Sequence, residues 1–190
     1  MDAMRRSAGL GSLVLVLVLA GVLAGAGSSA RAGAPTPNAW ATSVCTSIKA
    51  WQKSIVRRSD AIGHVKPKNL KVLHDAFVGF LAGVVRDTDT MIARTKAAGV
   101  PKASHGADVA NALQIGFRKV RGFFAADAAR AKHLSSTNAQ KFTAGAQAIA
   151  QTIDEQSNQI TATFDSLDKK YRSPQLDKAM KTVPACRGMG

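Results

Sequence analysis

Few side chains in this sequence could carry acid–base or metal chemistry. Its 190 residues include one glutamate, Glu155, and four histidines, which fall outside the H-E-x-x-H and C-x-x-C-H spacings. A carboxylate di-metal site in a helical protein requires several glutamates with Glu-x-x-His pairs, and a serine hydrolase requires a G-x-S-x-G turn. Neither pattern occurs in the sequence. We therefore expect a protein that binds and does not catalyse, with no catalytic residue, metal site or cofactor.

Basic side chains are the most abundant source of chemistry. The sequence has 26 lysines and arginines against 12 acidic residues, a formal charge of +14. Such an excess raises the affinity for polyanions. No aromatic residues are interleaved with the basic ones as a base-stacking surface requires, so nucleic acid is not an expected partner. The candidate anion-binding residues are Arg57, Arg58, Lys66, Lys68, Lys71, Arg130, Lys132 and Lys141.

Residues 1–32 have the pattern of a cleaved signal peptide. Arg5 and Arg6 precede an apolar run, Leu13 to Ala24, and small residues then lead to Ala30-Arg31-Ala32. A basic start, an apolar stretch of about 7 to 15 residues and an A-x-A site make a secretory signal. The uninterrupted apolar part is too short for a membrane helix, which needs about 20 residues. This pattern predicts export to the extracytoplasmic space, either secretion or the cell envelope; retention of the segment as an anchor is the alternative.

The mature chain is expected to be one domain. A short Pro-containing linker over residues 33–37 precedes a single domain over residues 38–190, which is large enough to bury a core. Cleavage removes three arginines and one aspartate, so the formal charge falls by two and the mature chain stays strongly basic. We expect no transmembrane span in it.

Two cysteines, Cys45 and Cys186, are expected to form a structural disulfide. Exported chains favour pairing, and no C-x-x-C redox motif occurs. The closed loop would span about 140 residues, for which the chain-entropy model gives a stabilisation of about 5 kcal/mol. Two buried free thiols are the alternative.

Apolar residues recur at spacings of three and four along the mature chain, which predicts helices. Asn38 is the predicted N-cap of the first helix, and Gly63 ends it. Pro67 suits the first turn of the second helix, which Gly99-Val100-Pro101 stops.

Three further helices follow. The third is predicted from about Ser104 to Leu134. Thr137 and Gln140 form a weak capping box for the fourth. Ser173-Pro174 is a good start for a short fifth helix that ends near Val183.

The predicted fold class is all-α: an antiparallel up-down four-helix bundle with a short fifth C-terminal helix pinned by the disulfide. Gln156 falls on the apolar stripe of the fourth helix. Buried amides need hydrogen-bond partners, and Asn111 or Ser47 could supply one.

In this topology the basic candidates gather at one end of the bundle, together with His64, His74 and His133. Basic residues at helix C-termini merely complement the helix dipole, but Lys66, Lys68 and Lys71 are predicted at a helix N-terminus, where the dipole opposes them. A solvated basic face is the simplest interpretation, and anion binding is the functional one. The three histidines could bind a metal, although helix-end histidines without a ligand are far more common.

Three short segments resemble small secreted proteins of unknown function from actinobacteria. They are the Arg-Arg leader with its apolar core, Trp40-Ala-Thr-Ser-Val-Cys45 with Trp51 following, and the terminal Pro184-Ala-Cys186. The resemblance implies a cell-envelope or extracellular setting and brings no active-site residues.

The functional expectation is therefore binding. The first candidate ligand is an anionic envelope polymer, lipid head groups or another envelope protein. The alternative is a small-ligand carrier that holds lipid or haem between its helices.

Overall fold

The computed structural model describes residues 33–66 and 68–188, except for the side chains of Leu167 and Asp168. In these ranges the chain forms five α-helices and one short 3-10 turn, without strands, which confirms the all-helical class. The predicted signal peptide lies outside the described residues. The elements are α1 Pro37–Gly63, α2 Leu70–Ala97, α3 Gly106–Ala131, α4 Ala139–Lys170, α5 Pro174–Thr182 and the turn Pro184–Cys186. Among the described helices, none is long and apolar enough to cross a membrane.

Two predicted helix caps are wrong by one or two residues. The N-cap of α1 is Thr36, whose hydroxyl accepts a hydrogen bond from the Ala39 amide at 3.2 Å, and Asn38 lies inside the helix. Pro37 is favoured at the first helical position, which makes the residue before it the cap. At α4 the Asn138 side chain accepts from the Lys141 amide at 3.0 Å, in place of the predicted capping box.

The second and third helices are shorter than predicted. Helix α2 begins at Leu70, where the Asn69 side chain accepts from the Val72 amide at 3.1 Å. It ends before Gly99, whose φ of +74° requires a glycine-like conformation, so the predicted stop is confirmed. Helix α3 begins at Gly106 and ends at Ala131, three residues before Leu134. Helix α5 begins at Pro174 after Ser173, as predicted.

Consecutive long helices pack side by side. Between α1 and α2, the Trp40 indole donates to the Gly99 carbonyl at 3.0 Å and the Trp51 indole donates to the Thr88 hydroxyl at 2.9 Å. Partner numbers fall along α2 as they rise along α1, so these two helices run antiparallel. Helix α3 packs on α2, and α4 packs on α3.

Helix α5 and the 3-10 turn pack on α1 near the start of that helix. The Cys45–Cys186 disulfide joins them, with 5.0 Å between the Cα atoms, so the predicted pairing is confirmed. Around it lies a small buried cluster that includes Ala41, Ala179 and Val183. The Met180 sulfur lies 3.7 Å from the Cys45 sulfur.

Helices α1 and α4 do not pack against each other as the consecutive pairs do, within the part of the chain that the structure describes. Apolar side chains of α1 and of α4 line the two sides of the space above α3. The space between them is therefore an apolar cleft instead of a packed helix interface.

We expect Cys45→Ser to lower the free energy of unfolding by about 2 to 5 kcal/mol under oxidising conditions, because the bridge closes a loop of 141 residues. Thermal unfolding measures the change. Cys186→Ser and the double variant should lose the same amount, since each removes the same bond. Additive losses in the double variant, or two thiols alkylated in the denatured wild type, would contradict the disulfide.

Candidate functional site

The main cavity of the protein is the cleft between α1 and α4, with α3 as its floor and α5 at one end. It has a wider part of about 380 Å³ and a narrower part of about 240 Å³ beside α5. Both parts share Ile48, Leu113 and Phe164 in their walls, so they lie next to each other along the same groove. Cavities of a few hundred cubic ångströms with mostly apolar walls are typical of small-ligand sites.

The cleft is long and narrow. Along α4 its lining runs from Ile153 to Tyr171, which corresponds to about 27 Å of helix at 1.5 Å per residue. Apolar residues dominate the walls. The wider part is lined by Ile48, Trp51, Leu113, Phe117, Val120, Phe123, Phe124, Ile153, Gln156, Ser157, Ile160 and Phe164. The narrower part adds Trp40, Val44, Val109, Ala112, Tyr171, Ser173, Leu176, Asp177 and Met180.

The wider part has a polar centre built from Gln156 and the buried Asp127 behind it. Gln156 on α4 lines the cleft and is 8% exposed, so its predicted burial is confirmed. Asp127 on α3 is fully buried. The predicted amide partners are wrong, because Asn111 lies exposed near Trp40 and the Ser47 hydroxyl donates to the Ser43 carbonyl.

Burial raises the pKa of Asp127, because the ionised carboxylate loses its water in this site. The Arg130 guanidinium, 3.4 Å from Oδ1, and the Gln156 amide favour the ionised form without cancelling the effect. Oδ2 has no hydrogen-bond partner among the described residues. The polar centre therefore contains one carboxyl oxygen, Oδ2 of Asp127, that can still accept a hydrogen bond beside the apolar cleft.

The eight predicted anion-binding residues fall into two sets that differ in their ion pairs. Three of them are engaged by carboxylates: Arg58 by Asp87, Lys71 by Asp75 and Arg130 by Asp127. The other five are exposed and form no ion pair within the described residues: Arg57, Lys66, Lys68, Lys132 and Lys141. An intramolecular carboxylate competes with any external anion, so the eight-residue surface is reduced to five side chains.

The predicted opposition between basic residues and the α2 dipole holds for one lysine only. Because α2 begins at Leu70, Lys66 and Lys68 lie in the connection before the helix. Lys71 is in the first turn, but its ammonium pairs with Asp75 one turn later. That pair and His74 lower the pKa of the Asp75 carboxyl. Such a pair is ordinary on an exposed helix, so Lys71 requires no functional explanation.

The structure places the four histidines outside the cleft, in separate surroundings. The described residues contain no group of three histidine, cysteine, aspartate or glutamate side chains that could hold an ion. His74 packs its ring edge-on to Phe142, with 6.5 Å between the ring centres, while His64 and His133 lie exposed at helix ends. None of the four histidines lines the cleft.

A smaller cavity of about 210 Å³ lies between α1 and α2, on the other side of Trp51 from the cleft. Its lining is mostly polar and includes Arg57 and Arg94. Asp87 also lines it and receives two hydrogen bonds from the Arg58 guanidinium, at 2.5 and 3.0 Å. These bonds lower the pKa of Asp87.

Comparison with protein-family models, curated proteins and solved structures finds no significant match to this chain. The fold and the cleft define its class: a disulfide-linked helical protein with an apolar cleft.

Sequence reasoning missed two groups of residues in these cavities. Asp127 follows Val120 by seven positions and Phe124 by three, so it continues the apolar stripe of α3 and its burial was readable from that spacing. Arg94 is absent from the predicted anion-binding residues, because nothing in the sequence pairs it with Arg57 across two helices.

We expect Asp127→Asn to raise the free energy of unfolding at pH 7, because the neutral amide avoids the desolvation of a buried carboxylate. The pKa of Asp127 is raised in the folded state above its ordinary 3.8, so ionisation favours the unfolded chain. The wild type therefore loses stability relative to the variant as the pH rises above 3.8 and through the folded-state pKa. Below pH 3.8 this difference should vanish.

Urea unfolding of both proteins between pH 3 and 8 measures the difference. Asp165→Asn, at an exposed site on α4, is the matched control and should show no such pH-dependent gain. A variant that is less stable than the wild type at pH 7 would show that ionised Asp127 is well solvated or well paired.

Proposed function

We propose that this protein is an exported, non-enzymatic carrier that holds the apolar chain of a lipid in the cleft between α1 and α4. The observation that carries the proposal is the cleft itself, two adjoining apolar cavities along about 27 Å in a domain otherwise packed around small buried clusters. An empty apolar surface of this length is costly in water, and a flexible chain covers it well.

The arrangement of the four long helices supports the carrier proposal, because α1 and α4 leave a cavity between them. We infer an up-down order of the four long helices that stays open on the side of α1 and α4. In a closed bundle these two helices would pack directly and the facing side chains would fill the core. Here Ile48 and Ile160 face a cavity instead, and α5 covers only one end.

A lipid chain fits the cleft better than haem does. Haem iron is held by histidine, cysteine, methionine or tyrosine side chains. The only lining residues of these types are Tyr171 and Met180, both in the narrower part beside α5. A narrow channel also suits a chain better than a planar macrocycle. The described lining residues include no lysine or arginine, so a charged head group would stay at the open mouth.

Export is part of the proposal. A disulfide that joins the two ends of the domain is compatible with an oxidising compartment, where such bonds form and persist. The predicted signal peptide and the resemblance to secreted actinobacterial proteins favour the same setting.

Blocking the cleft tests the carrier proposal. Ile160→Trp places an indole ring in the wider part of the cleft. Thr161→Trp adds the same ring at the exposed neighbouring position. We expect the wild type and Thr161→Trp to bind palmitate with one molecule per chain in calorimetric titration. Ile160→Trp should bind at least tenfold more weakly, because the ring occupies the space of the chain.

Equal binding by both variants would contradict a site in the cleft. Binding of many molecules per chain, without saturation, would show surface adsorption only. Thermal unfolding of each variant without palmitate separates a blocked cleft from a damaged fold. Native mass spectrometry of the protein from its own host then identifies the retained ligand.

Binding of anionic polymers or lipid surfaces is a second candidate. The observation in its favour is the shared location of exposed lysines. Lys66 and Lys68 precede α2, while Lys132 and Lys141 flank the α3–α4 connection. The contact between the Phe77 and Phe142 rings, 6.2 Å apart, places the start of α2 beside the start of α4.

We expect Lys66→Glu with Lys68→Glu to reduce co-sedimentation with phosphatidylglycerol vesicles several-fold at low salt. Lys178→Glu with Lys181→Glu on α5 changes the net charge equally and is the control. The wild-type retention should fall steeply towards physiological salt, where exposed charges are screened beyond about 8 Å. Equal losses in both double variants would mean that total charge, and not this surface, causes the retention.

A further inference from the structure

We propose that the small cavity between α1 and α2 is a binding site for a tetrahedral oxyanion, a phosphate or sulfate group, held between the guanidinium groups of Arg57 and Arg94. This site is distinct from the cleft, and it is not the lysine-rich surface. Both arginines line the same cavity of about 210 Å³, with Ser47, Ser54 and Thr90 between them.

The positions of the two arginines are nearly symmetric about one contact. The Trp51 indole on α1 donates to the Thr88 hydroxyl on α2. Arg57 follows Trp51 by six residues, and Arg94 follows Thr88 by six residues. The Cα atom of each arginine therefore lies about 9 Å along its helix axis from the Trp51–Thr88 hydrogen bond. Because the helices are antiparallel, the two arginines lie on opposite sides of that hydrogen bond.

The side chains then lean towards each other. On an α-helix the Cα–Cβ bonds tilt towards the helix N-terminus. For Arg57 this direction leads back to Trp51, and for Arg94 it leads back to Thr88. Both exposed arginines line the cavity, and their Cα–Cβ bonds aim them towards it from opposite directions, which is the placement that would hold an anion between them.

The cavity is positively charged. Its single carboxylate, Asp87, is bound by both nitrogens of the Arg58 fork, so that pair is neutral. Arg57 and Arg94 form no ion pair within the described residues, which leaves two positive charges at the lining. Two like charges converging on one cavity are unfavourable without a counter-ion, and an oxyanion removes that repulsion.

The chemistry of the lining selects the class of ligand. Guanidinium groups bind phosphate and similar oxyanions through two parallel hydrogen bonds, which lysine cannot form. The Ser54 hydroxyl donates to the Trp51 carbonyl at 2.9 Å, and the Thr90 hydroxyl donates to the Arg86 carbonyl at 3.1 Å. Both hydroxyls can rotate to donate to a bound anion. Trp51 forms one side of the cavity, so its fluorescence reports occupancy.

The test uses the disulfide-bonded mature chain with Trp40→Phe, so that Trp51 is the only tryptophan. Inorganic phosphate, pyrophosphate and sulfate are titrated at constant ionic strength, with chloride as the reference anion. We expect a saturable change in Trp51 fluorescence with one site per chain for phosphate or sulfate, and none for chloride.

Arg57→Gln and Arg94→Gln should each weaken binding at least tenfold. Arg118→Gln, an exposed arginine on α3, should bind like the parent. Arg57→Lys keeps the charge and loses the fork, so we expect a loss of several-fold. If Arg57→Lys binds as well as the parent, the site is a diffuse charge effect and the two-arginine geometry is wrong.

Two results would overturn the proposal outright: an equal response to chloride, or equal affinity in the two glutamine variants and the parent. Thermal unfolding without anion shows whether each variant is folded. Added phosphate should raise the melting temperature of the parent and of Arg118→Gln but not of the two glutamine variants, a readout that does not depend on fluorescence.

Discussion

Helix α1 has two packing partners on different sides, and the rest of the structure depends on this division. One side contacts α2 along most of its length, from Trp40 to Arg58. Another side, near the start of the helix, holds α5 and the 3-10 turn through the disulfide. With these sides occupied, α4 packs on α3 and not on α1. The apolar cleft is the direct result of this arrangement.

Two aspartates show how the same side chain is treated differently in two parts of the molecule. Asp87 is partly exposed and receives two hydrogen bonds from one guanidinium, so its charged form is favoured. Asp127 is fully buried, with a guanidinium at 3.4 Å on one oxygen and no partner on the other among the described residues. Desolvation therefore dominates at Asp127, while hydrogen bonding dominates at Asp87. The first environment favours a fixed ion pair, and the second favours a neutral polar group beside the cleft.

Local patterns predicted the helices and the disulfide because both depend on chemistry that is close in sequence or has a single solution. The spacing of apolar residues marks each helix, and two cysteines allow one pairing only. The caps were harder, since neighbouring residues such as Thr36 and Asn38, or Thr137 and Asn138, have nearly equal capping ability. Which of the two residues becomes the N-cap depends on the residue at which the first helical turn begins.

The cleft could not be predicted from the sequence, because an apolar stripe does not say which helix covers it. Ile48 and Ile160 have the spacing of ordinary core residues, and only the positions of α1 and α4 show that they face a cavity. The pairing of Arg58 with Asp87 has the same origin, since it joins residues 29 positions apart on two helices. Both features belong to the arrangement of elements and not to any one of them.

The disulfide also determines which element can move when the cleft changes width. It ties α5 to α1, so the helix at one end of the cleft and the helix along one wall form a single body. Helix α3 is held by α2 on one side, and α2 is held by α1. Helix α4 packs mainly on α3, and its first half also reaches α2, through Phe142 against Phe77 and Ile149 in one cluster with Leu81. A wider cleft therefore corresponds to an outward displacement of the second half of α4, which contacts α3 through Phe164 and Phe117, with ring centres 5.6 Å apart.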